Sequence, residues 1–260
     1  MSTILRSFNP FAEKPPIQWL LRDERIDQAL ARLKFFEQQG AIALITGQTG
    51  LGKSSLLRLF IHQLQQNRYH PVYLHLTPLN ANAFLRHIVT KLGEKPLLGK
   101  DRRLLQILQR IGLNDKCTLF VIDEAHLIDP KVLTDLRLLI SSIDEQISLK
   151  ILLCGQEGLK QILKRSSFAD LVHRISLQVV MQPLSKDKTI AYMDYRMAKA
   201  GASAKVFEPE AKLLIHDYTG GVPRQINNVS TACMINAAAR DMRNITEALV
   251  NDTMAESMLP

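Results

Sequence analysis

Apolar residues recur every three to four positions through IQWLLRDERIDQALARLKFFEQQG, residues 17–40, before a glycine. That spacing lays one apolar stripe along a helix, and Gly40 supplies its stop. AIALITG then runs almost wholly apolar, which predicts a short strand buried on both faces. The same alternation repeats down the chain. SSLLRLFIHQLQQN predicts a helix, HPVYLHL a strand, NANAFLRHIVTKLG and RRLLQILQRIG two helices, and CTLFVIDEAH a strand. KVLTDLRLLISSI returns as helix, LKILLCGQ as a buried strand and SLQVVMQPL as the last strand. Buried strands alternating with helices predict an α/β fold, a parallel sheet covered on both faces, over residues 41–182. From residue 183 the strand signal stops. SKDKTIAYMDYRMAKAG, PEAKLLIHDYTGG and RQINNVSTACMINAAARDM all carry the helical period, so residues 183–260 are expected to form a small all-helical domain. Residues 1–40 form an N-terminal segment and helix ahead of the sheet.

Composition narrows the class. With 46% hydrophobic and 22% charged residues in 260, the chain can bury a substantial core. Lys and Arg outnumber Asp and Glu by 33 to 25, a formal net charge of +8. Such a balance favours anionic partners, nucleic acid first among them, although a basic surface can also serve solubility alone. The start, MSTILRSFNPFAEKPP, lacks the apolar core of a signal peptide, and no apolar run reaches the roughly 20 residues of a membrane helix. A cytoplasmic protein without membrane insertion is expected. Cys117, Cys154 and Cys233 are widely spaced and hold no C-x-x-C, so they read as small buried hydrophobes rather than zinc ligands or a disulfide framework.

The chemistry begins at Gly47-Gln48-Thr49-Gly50-Leu51-Gly52-Lys53-Ser54, followed by Ser55. This is G-x-x-x-x-G-K-[ST] between a strand and a helix, the context that separates a phosphate-binding loop from a chance glycine-rich turn. Glycines let backbone N–H groups curl round phosphates, and the helix N-terminus adds partial positive charge. Lys53 is expected to reach the β- and γ-phosphates of ATP and Ser54 to ligate Mg²⁺. LFVIDEAH ends an apolar strand in Asp123 and Glu124. Asp123 would hold Mg²⁺, and Glu124 would orient and deprotonate the attacking water; a solvated strand end or helix cap is the plainer alternative.

FNPF, LITGQTGLGKSSLLR, VIDEAHLI, LRLL, ILLCGQEGLKQIL, LVHRI, QPLS, YMDYRMAKAG and GGVPRQINN together resemble AAA+ ATPases, and more narrowly the ExeA branch that includes TniB and TnsC. The resemblance spans nearly the whole chain. It implies an αβα AAA+ core with a helical lid, and a homo-oligomer, ring or helical filament. By position it implies that Arg224 is a sensor-2 arginine and that Arg174 is an arginine finger acting on a neighbouring subunit's ATP. Gln156 falls near sensor 1, where Cys154 can also be counted. Leu21 and Arg22, with Trp19, fall where such proteins pack adenine; Trp19 can equally be core. Without the family, each arginine would read as a solvated or ion-paired surface group.

What the ATP drives is less sharply written. One expectation is a regulator of transposition, assembling with ATP on double-stranded DNA and recruiting a transposase or other transposition proteins, as the resemblance to TniB and TnsC implies. Lys100, Arg102, Arg103 and Arg110 in GKDRRLLQILQR, and Thr77 after the second strand, are candidate backbone contacts, or else solvated surface. The alternative is an ExeA-like ATPase supporting assembly of a secretion system. Those proteins add a membrane segment and a cell-wall-binding domain, which these residues do not hold. A signalling or replication-initiator switch is a third reading; an initiator would usually bring a DNA-reading domain that the tail NITEALVNDTMAESMLP is too short to form.

Overall fold

The computed structural model describes residues 9–75, 80–142 and 148–257. They divide into two compact units: one within residues 26–49 and 53–181, the other within residues 9–25, 50–52 and 182–257.

The first unit is built on five strands, β1 (Ile42–Thr46), β2 (Tyr69–His75), β3 (Cys117–Asp123), β4 (Leu149–Gly155) and β5 (Ile175–Val180). All pair in parallel, in the order β2-β3-β4-β1-β5. The continuous apolar runs explain the arrangement: every residue of β1 is buried, as is β3 from Thr118 to Asp123. Alternate residues face opposite sides of a strand, so both faces need cover. The edge strands β2 and β5 are the half-exposed ones. Pro71, which has no N–H to donate, sits in β2, where one side needs no partner.

Around the sheet lie α1 (Glu24–Gln39), α2 (Lys53–Gln63), α3 (Ala81–Lys91), α4 (Lys100–Gly112), α5 (Pro130–Ser141) and the short α6 (Gly158–Leu163) and α7 (Ala169–His173). Leu33 and Phe36 of α1 are fully buried, as are Phe84 and Ile88 of α3 and Val132 of α5 within about one per cent. α1 starts seven residues later than its apolar spacing suggests, because Ile17–Trp19 close a separate 3-10 turn. Asp23, a residue type favoured at helix starts, immediately precedes it. α6 and α7, one to two turns each, are too short to show a period.

The second unit holds α8 (Lys186–Lys199), α9 (Pro209–Thr219), α10 (Pro223–Ala239) and α11 (Glu247–Ser257). Pro209 and Pro223 occupy first turns, where a missing N–H costs nothing. Residues 9–25 join this unit. Phe11 is 2% exposed and meets Phe207 edge to face at 5.8 Å between ring centres. Arg196, buried on α8, donates to Pro10 O (2.7 Å), Ala12 O (2.8 Å) and Tyr192 Oη (3.0 Å). The FNPF stretch is therefore fastened to the lid helices from Asn9 onward. Cys154 and Cys233 are buried as expected, but Cys117, at the start of β3, is only half-buried.

Candidate nucleotide site

β1 ends at Thr46, and the loop Gly47–Gly52 leads into α2 at Lys53. Gly50 and Gly52 take φ of +86° and +94°, the left-handed region where a side chain is strained. A Cβ on Gly52 would meet nothing within 4 Å, so backbone conformation selects glycine there and the space above it stays open. Lys53 is 5% exposed, and its Nζ donates to Gly47 O and Gln48 O, both at 2.8 Å. The loop thus holds a buried ammonium against its own carbonyls.

β3 delivers Asp123, 1% exposed, to the same edge of the sheet. Its Oδ2 accepts from Ser54 Oγ at 2.8 Å and from Tyr73 Oη at 2.6 Å, and its Oδ1 accepts from the Glu124 N–H at 3.0 Å. His75 Nδ1 lies 3.9 Å from Oδ2. Burial, then the hydrogen bond to Asp123, pushes the Tyr73 phenol far above its ordinary range, so the hydroxyl stays protonated and donates. Sequence reasoning missed Tyr73. Alternation puts Tyr73 and His75 on one face of β2, but only the strand register, which pairs them with Val121 and Asp123 of β3, shows what that face meets.

Glu124 takes φ 57° and ψ 34°, a left-handed conformation that costs a non-glycine residue roughly 1 kcal/mol. Its Oε2 lies 3.4 Å from His126 Nδ1. Gln156 follows β4, which runs between β1 and β3, with Gly155 paired to Thr46. It is half-buried at that edge. Cys154 is fully buried within β4, and burial, with the charge of Asp123, holds its thiol well above the usual range and neutral. The structure therefore brings Gly47, Gln48, Thr49, Lys53, Ser54, Ser55, Asp123, Glu124 and Gln156 to one end of the parallel sheet. That end is where open α/β sheets bind ligands.

Of the other expected residues, Arg224 meets Gly50 of the glycine loop, its backbone N–H donating to Gly50 O at 3.2 Å, and the rest lie elsewhere. Leu21 packs against the core of the lid unit, Trp19 is half-buried in its 3-10 turn, and Arg22 is exposed. Arg224 stands in the first turn of α10, half-exposed, with Nη2 3.3 Å from Glu13 Oε1. Arg174 precedes β5, whose first residue pairs with the first residue of β1. It therefore sits at the edge of the sheet opposite the glycine loop. It is exposed there and shares a pocket of about 360 Å³ with Arg137, Leu138, Ser141, Asp170 and His173.

The described candidates for DNA contact differ in exposure and partners. Arg103 is 8% exposed, and its guanidinium donates to Leu97 O at 2.8 Å and Asn82 Oδ1 at 3.3 Å. This corrects the expectation that it tracks phosphates: satisfying these inward acceptors takes it off the surface. Lys100 Nζ is 2.5 Å from the fully buried Asp135 carboxylate, and Arg110 faces Glu94 at 3.7 Å. Arg102 is exposed, and Thr77 lies outside the described residues.

Mg²⁺ favours hard oxygen donors and is commonly held by one or two protein oxygens plus substrate phosphates. The Ser54 hydroxyl and Asp123 carboxylate, 2.8 Å apart, fit that donor set. Among the described residues no group of three His, Cys, Asp or Glu side chains is placed to hold a metal unaided, so the cation would come with its nucleotide.

Residues 37–163 match the AAA domain family. The chain is 31% identical over 247 residues to the General secretion pathway protein A of Aeromonas hydrophila, covering 91% of this chain and 44% of that protein. It thus spans less than half the length of that relative. Among solved structures, Cdc6p from Pyrobaculum aerophilum superposes with a TM-score of 0.76 at 18% identity, over 96% of this chain and 71% of that one. The Drosophila ORC bound to DNA gives 0.72 at 17% identity, over 97% and 65%. At such identities these likenesses establish the fold, a P-loop AAA+ fold.

Proposed function

We propose that this P-loop ATPase of the AAA+ fold binds Mg²⁺·ATP at the Gly47–Ser54 loop and uses hydrolysis to switch a homo-oligomeric assembly. The carrying observation is the 2.8 Å bond from Ser54 to Asp123, which joins the glycine loop to the acidic end of β3. Lys53 turns from the carbonyls of Gly47 and Gln48 to the β- and γ-phosphate oxygens. Ser54 and Asp123 hold the cation, which neutralises phosphate charge when bound. Glu124 orients the attacking water and takes its proton. Gln156 stands beside the reacting phosphate, and Arg224, whose backbone N–H donates to Gly50 O at 3.2 Å, offers a fixed positive fork to phosphate oxygens.

Two processes compete for what the switch drives. The relationship to a General secretion pathway protein over nearly the whole chain supports an ATPase that serves assembly of a secretion system. No helix among the described residues is long and apolar enough to cross a membrane, so any membrane attachment in that role would come from another segment or chain. The net charge of +8 supports the second reading, a DNA-bound regulator of transposition that recruits a transposase. The deciding experiment measures duplex-DNA binding and sedimentation with no nucleotide, ADP or a non-hydrolysable ATP analogue, across a salt series. ATP-dependent assembly on DNA that weakens with salt supports transposition. ATP-dependent assembly indifferent to DNA supports secretion, and the absence of nucleotide binding sinks both.

A further inference from the structure

We propose that Tyr73 is a positioning residue of the metal–nucleotide site, fixing the Asp123 carboxylate plane so that Oδ2 faces Ser54 and the incoming cation. The inference rests on the reading that Mg²⁺·ATP binds here.

Asp123 is nearly fully buried, and a buried carboxylate must be hydrogen-bonded. The terminal torsion of an aspartate is broad, so packing alone does not choose which oxygen points where. Three donors choose it. The Glu124 N–H fixes Oδ1 at 3.0 Å, while Ser54 from α2 and Tyr73 from β2 converge on Oδ2 at 2.8 and 2.6 Å. Ser54 is exposed and is itself a proposed ligand, so the carboxylate cannot take its orientation from that hydroxyl alone. Tyr73 comes from a different element, β2, and brings its hydroxyl to the oxygen on a rigid ring with few torsions.

Its chemistry suits the task. A lysine or arginine at this position would also donate, but would cancel the negative charge that attracts Mg²⁺. A neutral phenol anchors the carboxylate and leaves that charge in place. Hydrogen-bonding partners behind metal ligands typically carry 10- to 100-fold in metal affinity.

The test compares Tyr73→Phe with Tyr69→Phe. Both remove one hydroxyl from β2 and keep the ring, but Tyr69 donates to Glu37 O at 2.7 Å, away from Asp123. Binding of a fluorescent ATP analogue in EDTA reports the metal-free site, and paramagnetic resonance of free Mn²⁺ reports cation affinity of the nucleotide-bound protein. Tyr73→Phe is expected to bind the analogue in EDTA as the native protein does and to lose about 10-fold in Mn²⁺ affinity. Tyr69→Phe is expected to keep both. A Tyr73→Phe protein within about twofold of native Mn²⁺ affinity, or an equal loss in Tyr69→Phe, overturns the assignment. Should the native protein bind no nucleotide and gain no cation affinity from it, the functional reading falls as well, a result distinct from either.

Discussion

Glu124 is the proposed base for hydrolysis, and its neighbours constrain it closely. Its backbone is left-handed, its N–H is spent on Asp123 Oδ1, and its carboxylate lies 3.4 Å from His126 Nδ1. A strained backbone persists only where its surroundings over-determine it, and such strain clusters at sites of chemistry. Glu124→Gln keeps the shape and loses the base. It is expected to bind ATP with native affinity and to lose at least about 100-fold in turnover, measured by single-turnover phosphate release. Turnover near native would remove Glu124 from the role of base. At this scale the loop and the acidic pair were readable, because a phosphate loop and a strand end are consecutive residues with fixed spacing. Tyr73 was not, since its meaning depends on which residue of β3 lies beside it. Arg103 misled for the same reason: four basic residues on one helix say nothing about which one the fold turns inward to Leu97 O and Asn82.

Elements were readable where their period ran long enough. The five strands and the helices α1–α5 and α8–α10 announce themselves through continuous or periodic apolar residues, whereas α11 was not read from the sequence and α6 and α7 give no more than a turn or two. Where the N-terminal segment goes was equally hidden, because FNPF carries no period and takes its place through Arg196. That guanidinium, 3% exposed, satisfies two backbone carbonyls of residues 10–12 and the Tyr192 hydroxyl, which in turn donates to Asn227 at 2.8 Å. Arg196→Met roughly keeps the volume and removes every donor, leaving buried carbonyls unpaired at about 1–3 kcal/mol each. The expected loss of about 2–4 kcal/mol should appear as an earlier denaturant midpoint. Limited proteolysis should cut residues 9–16 before the sheet unit is attacked. Unchanged unfolding would mean that Phe11 and Phe207 hold the segment without it.

For the whole molecule the informative fact is a separation. β1 spans five residues, and Arg174 stands beyond the end opposite the glycine loop, roughly 16 Å away along the strand at about 3.3 Å per residue. An arginine side chain does not bridge that distance within its own chain. A role for Arg174 on phosphate therefore requires a second subunit, presenting its exposed pocket beside α7 to a neighbour's glycine loop in a heterologous contact of the kind that closes rings or extends filaments. Mixing two inactive proteins tests this. Arg174→Ala subunits keep an intact loop and base, and Glu124→Gln subunits keep the arginine and still bind ATP. In a random equal mixture, a functional interface needs the first protein on one side and the second on the other. Half times half predicts about one quarter of native activity per subunit, from two proteins that are each nearly inert. Activity that stays at the level of the separate proteins, in a mixture shown by sedimentation to co-assemble, would place Arg174 outside the shared site. The Arg137–Asp170 ion pair beside it, at 3.1 Å, would then make that pocket a structural feature of the subunit surface.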